Sequence, residues 1–108
     1  MDLNLGGKVA WVVGATGTLG EAIALALAGE GARLALSARS EEALAACAAR
    51  IKAATGADAL IVPADVTDPD SVAHATEQIV SQCDRLEILV NSVTVPVFGD
   101  FLEIDRDT

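Results

Sequence analysis

The sequence has no tyrosine, one histidine, one tryptophan and two phenylalanines. Basic residues are scarce as well: seven Lys and Arg stand against 16 Asp and Glu, for a formal charge of −9. Nothing clusters those basic residues, which argues against a general nucleic-acid binder. Net charge says little about a single anionic ligand, which feels only its local site. The two cysteines, Cys47 and Cys83, lie far apart with no Cys-x-x-Cys spacing. That excludes a cysteine metal motif and points to a reduced, cytoplasmic chain. No apolar run approaches the roughly 18 residues that a membrane-spanning helix needs. Met1 to Lys8 lacks a basic stretch followed by an apolar one, so no secretory signal is expected.

What is present is a compact, aliphatic chain. Its 108 residues are 52% hydrophobic, and its mean hydropathy is +0.44. That excludes a disordered chain and sets an expectation of one domain spanning residues 1–108.

Apolar runs alternate with helical patterns. Val9 to Val13 (VAWVV) is a continuous apolar run ending at Gly14, as in a strand buried on both faces. From Thr18 to Ala28 the period becomes helical, with Leu19, Ile23 and Leu27 as the expected apolar face. Gly29 or Gly31 ends that helix. Arg33 to Ser37 reads as a second strand. Ser40 is an expected N-cap, with Glu41 and Glu42 in the first turn, where the helix dipole favours them. Leu44, Ala48 and Ile51 line one face of that second helix, and Gly56 follows its end. Ala59 to Val62 is a third strand. Asp68-Pro69 opens a third helix as N-cap and first-turn proline, with Val72, Ala75, Ile79 and Cys83 on one face. Ile88 to Val90, running into Asn91, is a fourth strand. Strands alternating with helices imply βαβ units and a parallel sheet. Right-handed crossovers order the strands 3-2-1-4. The expected fold is α/β: the N-terminal part of a Rossmann-type, doubly wound parallel sheet.

The glycine turn carries the chemistry. Gly14, Gly17 and Gly20 stand in VGATGTLG, after an expected strand and at the opening of an expected helix. That context gives a glycine triplet its meaning. Gly14 permits the tight turn, Gly17 lets a phosphate approach the backbone, and Gly20 lets the helix pack close to the sheet. The N–H groups of Thr18, Leu19 and Gly20 then face an anion at the positive end of the helix dipole. Thr16 and Thr18 add hydroxyl donors.

With these segments in view, the chain resembles the short-chain dehydrogenase/reductase family. The resemblance rests on LGGKVAWVVGATGTLG, SARS after the second strand, ADVTD after the third and ILVN at the fourth. It implies a fold that binds NAD(H) or NADP(H) and moves hydride to or from a carbonyl or alcohol. It also implies that Asp65 and the Val66 N–H meet the adenine ring, and that Asn91 lies beside the ligand crevice. The commoner branch has its middle glycine where this chain has Thr18; Gly17 gives instead the spacing of extended and atypical branches. The family's Asn-Asn-Ala-Gly is here Asn91, Ser92, Val93, Thr94: only the first Asn is kept, and Val93 and Thr94 put bulk where the family's Ala and Gly lie beside the nicotinamide ribose. Val95 to Phe101 falls where the family places part of its substrate pocket.

The cofactor choice follows from the end of the second strand. An NAD-selective site carries an acid about 20 residues after the glycines. By the family pattern that position is Ala38, followed by Arg39, whose guanidinium suits a 2′-phosphate. Ser37 offers a further hydroxyl. NADP(H) is expected rather than NAD(H).

Other reactive side chains read as structural. His74 falls off its helix's apolar face and has no second ligand near it. Cys47 and Cys83 read as packed thiols and Trp11 as core. Asp100, Glu103, Asp105 and Asp107 read as a solvated acidic stretch.

The family's proton donor is the Tyr of a Tyr-x-x-x-Lys motif, and no residue here fills that role, so no catalytic residue is assigned. The expectation is the cofactor-binding fragment of an NADP(H)-dependent oxidoreductase. In full, it would take a small carbonyl or alcohol substrate and form a homo-oligomer. One alternative is a non-catalytic dinucleotide-binding or interaction module of the same ancestry. A second is an epimerase, dehydratase or flavin-type reductase of this family, favoured only by the glycine spacing. As the sheet edge, apolar Ile88 to Val90 would invite self-association.

Overall fold

A computed structural model of the chain describes residues 6–92. Val93, Thr94, the Val95 to Phe101 segment and the acidic residues after it lie outside the described residues.

The order is β1 (Val9–Val13), α1 (Thr18–Gly29), β2 (Arg33–Ser37), α2 (Glu41–Thr55), β3 (Ala59–Ile61), α3 (Pro69–Cys83) and β4 (Ile88–Asn91). The strands form one parallel sheet ordered β3-β2-β1-β4. This is the expected Rossmann-like architecture.

Local chemistry explains the helix boundaries. Ser40 Oγ accepts from the Ala43 N–H at 3.1 Å and caps α2. Gly56 ends that helix at φ 78°, where a side chain would be strained. Asp68 accepts from the Asp70 N–H at 3.0 Å and caps α3, with Pro69 in its first turn.

All five residues of β1 are buried, as a central strand covered on both faces should be. On one face, Ala10, Val12, Leu34 and Leu36 pack with Ala24 and Ala28 of α1 and Leu44, Cys47 and Ile51 of α2. On the other, Val9, Trp11, Val13 and Ala35 pack with Ala75, Ile79 and Cys83 of α3. His74 is exposed and both thiols are buried and free.

The face of α1 corrects the sequence reading. Its buried residues are Gly20, Ala24 and Ala28, whereas Leu19 is 65% exposed. The cause is close approach. A Cβ on Gly20 would stand 2.1 Å from the Gly14 carbonyl oxygen, so the helix starts almost in contact with the end of β1. Only a stripe of small residues fits there, and the larger Ile23 and Leu27 are turned to the half-buried flanks.

Among the described residues β4 is the outer strand on its side, and its Leu89 is 61% exposed. No helix among them is long and apolar enough to cross a membrane. None of their His, Cys, Asp and Glu side chains form a group of three able to hold a metal.

Candidate functional site

The parallel register aligns the carboxyl ends of the strands, and the expected site residues lie at or just beyond those ends. Val13 lies opposite Ser37 on one side and Asn91 on the other, so β1, β2 and β4 end level. The chain leaves β1 through Gly14, whose φ of 83° is left-handed. Gly14 N–H donates to the Ser37 carbonyl at 2.8 Å, and Ala15 N–H to the same oxygen at 3.3 Å. Gly17 N–H returns to Gly14 O at 3.2 Å and closes the turn.

Gly17 is the N-cap of α1, so no side chain caps that helix. The first helical bond runs from Glu21 N–H to Gly17 O at 2.9 Å. The N–H groups of Thr18, Leu19 and Gly20 have no partner among the described residues. They stand at the positive end of the helix dipole, which is the arrangement that accepts an anion. Thr16, Gly17, Thr18 and Leu19 are all exposed. A Cβ on Gly17 would meet only Gly14 O, at 3.6 Å, so the space over this residue is open. The three glycines thus differ in kind: Gly14 for conformation, Gly20 for contact, and Gly17 for neither.

The crevice side is closed by Ser92, a residue without a role in the sequence reading. Its N–H donates to Val13 O at 3.0 Å. Its hydroxyl lies 2.9 Å from Val13 O and 3.1 Å from Gly14 O. Ser92 Oγ is also 2.7 Å from the point a Gly20 Cβ would occupy. Ser92 therefore pins the end of β4 to the glycine turn. Its departure from the Asn-Asn-Ala-Gly pattern was the one signal that it differs.

Asn91, Val66 and Val72 line a cavity of about 200 Å³ with Trp11, Val13, Ala64 and Leu89. The walls are apolar except at Asn91.

Arg39 and Asp65 form the neighbouring end of the site. Ala64 N–H donates to Ala38 O at 3.0 Å, which sets the two following residues side by side. Arg39 is exposed. Asp65 Oδ1 accepts from the Thr67 hydroxyl at 2.6 Å and the Thr67 N–H at 3.0 Å, so the carboxylate closes a turn. Those Thr67 bonds hold the Asp65 carboxyl below its ordinary range; burial opposes them and the Arg39 guanidinium adds to them. Val66 is half-buried against the α3 side of the sheet.

Ser37 does not behave as expected. Its side chain is fully buried and its Oγ accepts from Trp11 Nε1–H at 2.8 Å. Alternation along β2 puts it on the face of Ala35, toward Trp11 and the α3 layer, so it is no outward-facing hydroxyl.

A second layer lies beneath the turn. The Cys47 thiol is buried and donates to Ala15 O at 3.4 Å. Burial, with the Glu21 carboxylate beside it, pushes this thiol up to about 11, so it stays protonated at neutral pH. Arg50 and Glu21 pair above it. Cys47 and Arg50 share a face of α2, but no spacing or motif in the sequence links them to Glu21.

A family model described as short chain dehydrogenase matches residues 8–108. A versicolorin reductase of Emericella nidulans is 38% identical over 107 residues, covering 98% of this chain and 40% of the relative. L-sorbose reductase from Gluconobacter frateurii, solved with NADPH and L-sorbose, superposes with a TM-score of 0.84 at 34% identity, over 95% of this chain and 39% of that one. An NAD+-bound xylitol dehydrogenase superposes with a TM-score of 0.75 at 34% identity, over 79% of this chain and 32% of that one. The chain thus spans about two fifths or less of the length of these relatives.

Proposed function

Since the chain belongs to the short-chain dehydrogenase family, we propose that its 108 residues form the cofactor-binding part of an NADP(H)-dependent oxidoreductase acting on a small carbonyl or alcohol. The observation that carries this reading is the uncapped start of α1 at an open Gly17. The three N–H groups of the first turn have no partner there among the described residues, and the space over Gly17 is open.

The residues present fit a dinucleotide. Thr18, Leu19 and Gly20 would hold the pyrophosphate through their N–H groups, with Thr16 and Thr18 hydroxyls beside them. Gly14 and Gly20 set the shape of that cradle. Arg39 would hold the 2′-phosphate by paired, charge-assisted hydrogen bonds. Asp65 and Val66 would border the adenine ring, and Asn91 would lie beside the crevice at the end of β4. A bound nicotinamide dinucleotide supplies the hydride donor or acceptor. The protein's own contribution here is to bind and orient. No tyrosine is among these residues, so the group that exchanges a proton with the substrate oxygen is assigned to none of them.

Cofactor preference rests on Arg39 and on Ala38 standing where an NAD-selective acid would be. Arg39→Ala should weaken NADP+ by about 1.5–3 kcal/mol, the range for a hydrogen bond to a charged group, and leave NAD+ nearly unchanged. Calorimetric titration with both nucleotides reads this. Equal losses for the two would refute the 2′-phosphate role.

The Ser92-Val93-Thr94 stretch, which departs from the family's Asn-Ala-Gly, favours a second reading, a dinucleotide-binding module without turnover. It shares the same cradle, and steady-state assay of NADP+ reduction with an alcohol panel separates the two.

A further inference from the structure

The helices covering one face of the sheet are joined by an ion pair that takes no part in the cradle itself. Glu21 stands in the first turn of α1, directly after Gly20, and Arg50 stands on α2, 29 residues away in sequence. The guanidinium engages both carboxylate oxygens: Nε lies 3.1 Å from Oε1 and 3.0 Å from Oε2, and a terminal nitrogen lies 2.5 Å from Oε1. One turn back on the same face of α2, Cys47 reaches the Ala15 carbonyl. A single face of α2 thus grips both the glycine turn and the first turn of α1.

Glu21 poses an electrostatic problem for the cradle. A carboxylate in a first helical turn suits the dipole when no ligand is there. Beside a bound pyrophosphate the same carboxylate is a like charge about one helical turn away, inside the Debye length of about 8 Å at physiological salt. The Arg50 side chain is 55% exposed and that of Glu21 22% exposed, so the pair braces α1 against α2 while its charges still reach the solvent, where salt screens them.

We propose that Arg50 sets the affinity of the cradle for its dinucleotide, by neutralising Glu21 so that the first turn of α1 does not repel the pyrophosphate. Arg50 acts through Glu21, which makes it a positioning residue. The inference rests on the reading that the pyrophosphate sits at this helix end.

The test is calorimetric titration of the chain with NADP+, at about 20 mM and about 500 mM NaCl, for wild type, Arg50→Met, Arg50→Lys and the double variant Glu21→Gln/Arg50→Met. Arg50→Met should weaken binding about 3- to 30-fold at low salt, as an unscreened unit charge near a double negative charge requires. The loss should shrink at high salt. Arg50→Lys keeps the charge and should stay within about threefold of wild type. Glu21→Gln should restore the Arg50→Met background to within about twofold. A merely structural role predicts a salt-independent loss with no rescue, and thermal melts of all four chains would expose it. Arg50→Met binding like wild type at low salt, or no rescue by Glu21→Gln, overturns the inference alone. A wild-type chain with no affinity for NADP+ overturns the cradle reading beneath it.

Discussion

Exchanging either of two glycines for alanine, three residues apart, should have opposite consequences. At Gly20 the added Cβ would stand 2.1 Å from Gly14 O, 2.9 Å from Gly14 C and 2.7 Å from Ser92 Oγ. Two of those obstacles are backbone, so no rotamer change relieves the clash and α1 must move off the sheet. Overpacking of this kind costs about 1–3 kcal/mol, and fixed backbone obstacles put Gly20→Ala at the upper end. For a domain of this size, about 3 kcal/mol lowers the melting temperature by roughly 10 °C or more. At Gly17 the backbone is extended, φ −78° and ψ 162°, and the nearest atom to an added Cβ is 3.6 Å away. Losing glycine's freedom in the unfolded chain gains about 0.4–1 kcal/mol. Losing glycine as N-cap costs a comparable amount. Gly17→Ala should therefore leave stability within about 1 kcal/mol, while its methyl group stands where the pyrophosphate approaches. Trp11, the one tryptophan and 5% exposed, reports unfolding by fluorescence. Calorimetry with NADP+ reports binding, and a loss of at least tenfold is expected, about 1.4 kcal/mol. If Gly17→Ala melts as low as Gly20→Ala, or binds NADP+ like wild type, the division of labour among the glycines is wrong.

Three further outcomes follow from the site's hydrogen bonds and charges. Ser92→Ala leaves the Val13 and Gly14 carbonyls without their hydroxyl donor and should cost about 0.5–1.5 kcal/mol in urea unfolding; an unchanged midpoint would contradict the pin. Cys47 is raised from 9.0 to about 11 in the folded chain. The contribution of this thiol to stability is therefore intact below pH 9 and is lost as pH rises toward 11, a loss on the order of 2 kcal/mol. Cys47→Ala should remove that alkaline loss in melts taken across this range. The Asp65 carboxyl is held below its ordinary 3.8, so its contribution is present above that pH and is lost as pH falls below it. Asp65→Asn should flatten the acid side of the stability profile, and an unchanged acid slope would show that the Thr67 turn contributes nothing there.

The fold was largely legible because each boundary has a local cause. Ser40, Gly56 and Asp68-Pro69 act through local caps and backbone geometry, and the five-residue apolar run at β1, stopped by Gly14, suits a strand covered on both faces. The direction of α1 was not legible in the same way. Periodicity pointed to Leu19, Ile23 and Leu27, yet the helix buries Gly20, Ala24 and Ala28. A long-range contact, Gly20 against Gly14 O, outweighs the hydrophobicity of the helix itself. Most of the candidate site could be placed because its residues sit at the ends of strands, where the topology gathers them. Ser37 failed because strand alternation, and not proximity to Arg39, decides where its hydroxyl points. Glu21, Cys47, Arg50 and Ser92 escaped because their partners are 29 to 79 residues distant, and no pairwise spacing announces such contacts.

Under the proposed function, the start of α1 and Arg39 together hold one NADP(H) molecule. Titrating isotope-labelled chain with NADP+ and following its backbone amide resonances tests this most directly. Saturable shifts should be largest at Thr18, Leu19, Gly20 and Arg39, with NAD+ moving the first three and sparing Arg39. Shifts confined to other surfaces, or none at millimolar NADP+, would contradict it.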